Sequence, residues 1–429
     1  MKRSLKLVLT LSLLVALLSG LSVYAAPQTQ LRFMWWGGDT RHQATMAAIE
    51  AYMKKNPNVK ISGEYGGFSG YQQKLLTQLA GGTAADIIQI DQPWVGNLMS
   101  QGDLFLNLYT AKDLKLAGFD KKFLKNQCEW EGKLIGLPTG LNGLAYIANS
   151  AFFSRYKVPL NIQWDWDKLI EVGTKINQQN KNSYLLTMSV THVSNMIKMY
   201  VAQHHGAQQW VNNDFTPGFD KAALTEAFAY YLKLLQNGVI PPLEETVLFD
   251  LKTEQTPGWI AGDIGIAQNW VSSVEQFNLD GKLKLDMTSL PVMKNVKNTG
   301  IIVRPAQLLV INKKSTNARE AAKFVNWFFN DPEAIVILKS ERGIPPTKAG
   351  LAILTKNKLI DPVMAKGINL AVKNAGLPEN SLSTNQELLT ILSEFIQKVG
   401  FKKLTPADAA DQMLKSYQSK LVELKKAQK

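Results

Sequence analysis

GLPTGLNGLAYIAN, Gly136 to Asn149, has the length of one long strand but not the pattern of a strand with a single core. Apolar residues stand at both ends, and the middle, Thr139 to Gly143, is polar and glycine-bearing. No helical period runs through it. TGIIVRPAQLLVIN, Thr299 to Asn312, is built the same way, with Arg304 to Gln307 as its polar middle. Such a strand fits one core at its start and a second at its end. Its middle then becomes a crossing between two domains.

Upstream of the first crossing, LRFMWWGGDTRHQAT (Leu31 to Thr45) places a continuous apolar run, Leu31 to Trp36, before Gly37 and Gly38. A run that unbroken reads as a strand covered on both faces. Thr40 and Gln43 have capping-box spacing, so a helix is expected to start there and to carry Ala44, Ala47, Ala48 and Ala51 against the sheet. Val59 to Gly63 alternates as a second strand, a helix is expected from Tyr71 to Leu79, and Ala85 to Ile90 forms a third strand running into DQPWVGN. Strand, helix, strand, helix, strand with short loops is the pattern of a parallel sheet covered on both sides. Between the two crossings the pattern is mainly helical, with Asp165 as a cap for DWDKLIEVGTKI and Gly238 as the stop of KAALTEAFAYYLKLLQNG. DIGIAQNW, Asp263 to Trp270, is a short strand that enters an aromatic loop.

The chain has 429 residues and a formal net charge of +13. Residues 1–25 read as an export signal: Lys2, Arg3 and Lys6, an apolar run from Leu7, then Val23-Tyr24-Ala25 before a cleavage site after Ala25 or Ala26. No cysteine follows the apolar run, so the lipid-attachment signature is missing, and a periplasmic location is expected. The lysines are scattered and concentrate only in the tail LVELKKAQK, a solvated surface rather than the basic stripe of a nucleic-acid binder. Cys128 is the single cysteine, which excludes an internal disulfide. The four histidines, His42, His192, His204 and His205, have no zinc-site spacing, and neither a metal nor a cofactor is expected.

Polar groups and indoles meet at the ends of the expected strands: Trp35 and Trp36 with Asp39 and Arg41, Asp91 and Gln92 with Trp94, Asn269 with Trp270. A sugar has polar edges and faces lined with C–H groups, so it calls for this combination of flat rings and hydrogen-bonding side chains. Neighbouring strand residues point opposite ways, so one of Trp35 and Trp36 packs inward; Trp36 is assigned to the ligand. Trp164, Trp166, Trp259 and Trp327 read as packing. An exported glycosidase would need two carboxylates at a set separation, one kept protonated; Asp39 and Asp91 are the available pair, but nothing in their sequence surroundings suggests a raised pKa, and no enzyme is expected. A polyamine, phosphate ester or peptide ligand is the other alternative.

Several segments in order, LRFMWWGG, YQQKLLTQLAGGTAADIIQID, EGKLIGLPTGLNGLAYIANSAFF, WDWDKLIE, GDIGIAQNW, AQLLVINKKSTNAREAAKFVNWFF and RGIPPTKAG, resemble the extracellular solute-binding proteins of ABC importers, the family typified by maltose-binding protein. WWGGDTRHQAT with EYGGFSGYQQKLLTQLAGGTAADI is similar to a branch associated with pectin-derived oligosaccharides. The resemblance implies an α/β, two-lobed periplasmic-binding-protein type II fold, each lobe a mixed, mostly parallel sheet flanked by helices, joined by hinge strands. Residues 27–140 and 305–342 would form lobe 1, residues 141–304 and 343–429 lobe 2, with a third crossing near Lys339 to Lys348. It implies a monomer that closes on a mono- or oligosaccharide and presents it to permease subunits. By position it implies ligand contacts from Trp36 to Arg41, from Asp91 to Trp94, from Asn142, where the maltose-binding relative has an acid, and from Trp270 as a stacking plate. The amide at 142 argues against a maltodextrin. Arg41 and Arg304 would suit a uronate carboxylate. His192 falls near where the family contributes cleft side chains, with helix packing equally open.

Overall fold

The computed structural model describes residues 28–427 except 251 and 280; the expected export signal lies outside the described residues. The strands are β1 (Thr29–Trp36), β2 (Val59–Gly66), β3 (Ile87–Ile90), β4 (Glu129–Trp130), β5 (Lys133–Leu134), β6 (Leu137–Pro138), β7 (Leu141–Asn149), β8 (Tyr184–Thr187), β9 (Ile264–Trp270), β10 (Leu285–Thr288), β11 (Val303–Pro305) and β12 (Leu308–Ile311). They make two main sheets, ordered β2-β1-β3-β12-β6 and β10-β7-β9-β8, with β11 added beside β7.

Both long strands cross between the sheets. Gly136 to Asn149 splits into β6 in the first sheet and β7 in the second, and Thr299 to Asn312 splits into β11 in the second and β12 in the first. At the crossing the two chains bond to each other: the Thr139 N–H donates to the Gln307 carbonyl and the Ala306 N–H to the Gly140 carbonyl, both at 2.8 Å. Backbone leaving one sheet has no ladder partner there, so this mutual pairing satisfies groups that would otherwise be stranded. A third segment joins them, the Leu141 N–H donating to the Ile344 carbonyl at 2.7 Å.

The sheets are mixed, but less parallel than expected. In the first, β1 runs parallel to β2 and β3, whereas β12 is antiparallel to both β3 and β6. In the second, β8 and β9 pair in parallel, while β7 is antiparallel to β9, β10 and β11. The cause is the crossing itself, because a chain that returns through the hinge enters each sheet from the far side.

One apolar core fills the first sheet and the helix Ala318–Asn330, with Phe33, Trp35, Phe105 and Phe324 at its centre. A second packs the helices Val190–His205, Lys221–Gln236, Gln386–Gly400 and Pro406–Ala427 on one face of the second sheet, and a third, around Trp259, Phe277 and Met287, covers the other face. Trp164, Trp166, Trp259 and Trp327 are buried, as a packing role requires. Asp165 caps its helix by accepting from the Lys168 N–H.

The first helix departs from its expected start. It runs Asp39–Lys55 behind Gly38, and no side chain caps it. Thr40 is therefore inside the helix rather than at its cap. The buried stripe is Thr45, Ala48, Ile49 and Tyr52, so Ala47 faces solvent. Helical phase is set by where the first turn starts, and moving that start rotates every later residue.

Gly140 shows how tight the crossing is. A Cβ there would sit 2.6 Å from the Arg342 carbonyl oxygen and from the Gly343 backbone. Backbone cannot step aside as a flexible side chain can, so Gly140→Ala should cost about 1–3 kcal/mol, as overpacking does. Urea unfolding should show a lower midpoint at unchanged slope.

Candidate functional site

The carboxyl ends of β1 and β3 build an aromatic group. Trp36 closes β1, and Trp94 ends the short turn Gln92–Trp94 that follows β3. Their rings are 5.2 Å apart, and Trp36 also meets Tyr71 at 4.9 Å and Phe68 at 5.5 Å. Trp35 points to the other side, onto Phe33 and Tyr65, and donates its Nε1 hydrogen to His42 Nδ1 at 3.0 Å. The paired indoles thus divide as strand alternation demands. Trp36, however, is only 7% exposed and offers little of its own face. Phe68, 56% exposed at the margin of the same group, does offer one, and sequence reading passed over it as part of a glycine loop.

Across the hinge, β7, β9 and β11 place Asn142, Trp270 and Arg304 together. Arg304 pairs in register with Asn142, and Trp270 with Leu144. The Arg304 guanidinium lies over the Trp270 ring, 4.6 Å from its centre, a cation–π contact. Asn142 is committed to the loop after Trp270: its Nδ2 donates to Ser272 Oγ at 2.8 Å and its Oδ1 accepts from the Ser272 and Gly143 N–H groups. That neutral amide braces Trp270 from below.

Asp91 joins the two stations. Its carboxylate accepts from the Gln92 N–H at 3.0 Å and caps the turn that carries Trp94. Burial pushes its pKa up from the ordinary value, with the charge of Arg304 and the Gln92 hydrogen bond opposing. The raised value was not legible from the residues around Asp91 in sequence. Asp39 stands exposed in the first turn of its helix, where a negative charge suits the N-terminal dipole.

Arg41 is not available in the way Arg304 is. Its Nε donates to the Glu341 carbonyl at 2.9 Å and its Nη1 to the Trp36 carbonyl at 3.4 Å. Burial lowers its pKa, against the pull of Glu341. Next to it lies Arg342, which sequence reading did not single out. Buried at 3% exposure, it donates to Gln89 Oε1 and, from Nε and Nη2, to Thr45 Oγ1, and it lies against Phe33, Trp35 and Phe328. Gln89 in turn donates to the Trp36 carbonyl at 3.1 Å. The segment that forms the third crossing is thereby tied to the aromatic floor. Among the described residues no group of three or more His, Cys, Asp and Glu could hold a metal.

His192 is buried in the helix Val190–His205, its Nδ1 2.9 Å from Ser189 Oγ and its carbonyl accepting from Gln268 Nε2 at 3.0 Å. Burial pushes its pKa down to about 4 from the ordinary 6.5. A depressed histidine contributes stability that is complete above pH 6.5 and drains away as the pH falls toward 4, because the unfolded chain takes up the proton first. The full loss should be roughly 3.5 kcal/mol at about 1.4 kcal/mol per pH unit. His192→Gln should show a shallower fall in urea midpoint between pH 7 and pH 4.5 than the unaltered chain.

A sequence profile described as bacterial extracellular solute-binding protein matches residues 47–358. Relatives from Brucella abortus, named as binding proteins, are 25% identical over 194 residues, and that match spans about half of either chain, 45% of this one and 46% of theirs. A maltotriose-binding protein from Pyrococcus abyssi is 24% identical over 347 residues, covering 79% of this chain and 70% of its own. The solved structure of a periplasmic oligogalacturonide-binding protein from Yersinia enterocolitica superposes with a TM-score of 0.79 at 25% identity, over 92% of this chain and 99% of that one. Matched across most of its length by the family profile and sharing the two-sheet, crossed-strand architecture, the chain belongs to the bacterial extracellular solute-binding proteins.

Proposed function

We propose that this chain captures an oligosaccharide bearing uronate groups in the cleft between its lobes and delivers it, unchanged, to an ABC permease. Lobe 1 comprises residues 27–140 and 305–342, lobe 2 residues 141–304 and 343–429, and the protein works outside the cytoplasm. The observation that carries the reading is Arg304, whose guanidinium lies over the Trp270 ring and donates no hydrogen bond to a protein group among the described residues. A guanidinium over an indole face, with none of its donors taken by the protein, has them available for a carboxylate, which guanidinium binds with two parallel hydrogen bonds. Trp94 and Trp270 supply the flat faces a sugar ring needs, and Asp91, Gln92 and Asp39 the polar fringe. Asn142 and Trp36 support these contacts from behind, and Arg41 holds the hinge. The name of the Yersinia relative agrees in ligand class.

Arg304 also separates a uronate ligand from a neutral one. Calorimetry with trigalacturonate and with maltotriose should show tighter binding of the uronate. Arg304→Gln should weaken trigalacturonate by at least about tenfold, ~1.4 kcal/mol, and leave maltotriose nearly unchanged. Trp270→Ala should weaken whichever sugar binds by a similar factor. Equal affinity of the Arg304 variant for trigalacturonate would remove the uronate assignment.

Closure follows from ligand that bridges both lobes and so favours the closed form. Small-angle scattering should record a smaller radius of gyration at saturating ligand. Asp91, with its raised pKa, is the feature a glycosidase reading would start from. Asp39 stands on an exposed helix start, a poor partner for it. Release of shorter oligosaccharides on incubation with trigalacturonate would overturn the binding-only reading.

A further inference from the structure

Phe68 sits in the loop Gly66-Gly67-Phe68-Ser69-Gly70, between the end of β2 and the helix Tyr71–Ala80. Its ring stacks on Trp94 with centres 5.7 Å apart and planes 27° apart, and meets Trp36 edge to face at 5.5 Å. Trp36 and Tyr71 are buried behind it, while Phe68 keeps more than half of its surface in solvent. Tyr65, the other exposed ring nearby, belongs elsewhere: it stacks on Trp35 and His42, on the opposite side of β1.

The loop is anchored at both ends and free between them. The Gly66 carbonyl accepts from the Gly37 N–H at 3.1 Å, and the Phe68 carbonyl from the Tyr71 N–H at 3.2 Å. A Cβ at Gly66 or Gly67 would meet nothing within 4 Å, and neither residue has a positive φ. Neither sterics nor turn geometry therefore requires glycine there, and what glycine adds is freedom of the backbone. A cavity of about 220 Å³ lies against the backbone of Gly66, Gly67, Ser69 and Gly70, closed on its other sides by Met34, Glu64, Tyr71 and Lys74, and leaves the loop unpacked on that side.

We propose that Phe68 is a second stacking plate of the site, taking the C–H face of a sugar ring at the wall of lobe 1, opposite Trp270 and Arg304. Trp94 and Trp36 back the ring, and the two glycines let it follow the ligand as the lobes close. The inference rests on the saccharide reading above and adds to it the residue that grips on this side. A stacked plate depends on a flat face, whereas a merely apolar contact depends on bulk, and this difference can be measured.

Calorimetry with trigalacturonate and maltotriose on the unaltered chain and on Phe68→Ala, Phe68→Leu and Phe68→Trp tests it. Each variant's melting curve checks the fold. Alanine and leucine should each weaken the better ligand by about tenfold or more, while tryptophan should stay within about threefold. Leucine binding as tightly as phenylalanine would overturn the plate, as would equal loss in all three variants. If the unaltered chain binds neither sugar, the saccharide reading falls and takes the plate with it; if it binds well and leucine is silent, only the plate falls.

Discussion

Two backbone strands that leave one sheet for another must satisfy their own hydrogen bonds on the way, and everything else in this molecule is arranged around that requirement. The Thr139 and Ala306 N–H groups solve it by donating to each other's chain. The pairing keeps the crossings side by side, fixes Asn142 opposite Arg304, and brings the end of β9, with Trp270, against both. A ladder only a few residues long can bend without losing its bonds. The same feature that places the second station of the site thus suits the closure proposed for the lobes.

The third crossing is held differently. Arg342 is a cation with no carboxylate among its hydrogen-bond partners, surrounded by aromatic faces and lying next to Arg41. Burial and the like charge of Arg41 both press its pKa well below the ordinary value, with Tyr71 opposing. A buried charge is costly unless its donors are used, and here they hold Thr45 and Gln89. Gln89 passes the constraint to the Trp36 carbonyl. A polar network of this kind is a weak source of stability but a strong source of geometry, since each member has a single arrangement in which all are satisfied. Movement at residue 342 is therefore felt at the floor under Trp94 and Phe68.

The crossings were legible in sequence because a strand with two cores carries two apolar runs and a polar middle, a pattern local to fourteen residues. Long-range commitments were not. Arg41 sits beside Trp36 and Asp39 and looks like a ligand group, yet its partner is a carbonyl 300 positions away. Arg342 lies in RGIPPTKAG with nothing nearby to mark it as buried. Phe68, a lone ring among glycines, has no periodicity to read. The capping-box reading puts the cap after β1 two residues late because Thr40 has the chemistry of a cap while the chain uses Gly38. In each case the deciding contact is tertiary.

In the proposed site, Arg304 and Asp91 would set the terms on which a ligand enters. They feel each other's charge without forming a direct ion pair, so each remains partly unsatisfied in a site that becomes drier as the lobes close. Drying strengthens every electrostatic contact and raises the cost of any group left without a partner. A neutral sugar can hydrogen-bond to Asp91 but leaves the guanidinium edge bare. A uronate, on the proposed reading, would fill that edge and leave its hydroxyls for Asp91 and Gln92. On the uronate reading proposed above, the preference for an anionic ring would not require a strong attraction in the open form; it would grow as water leaves, and closure itself would become the selective step.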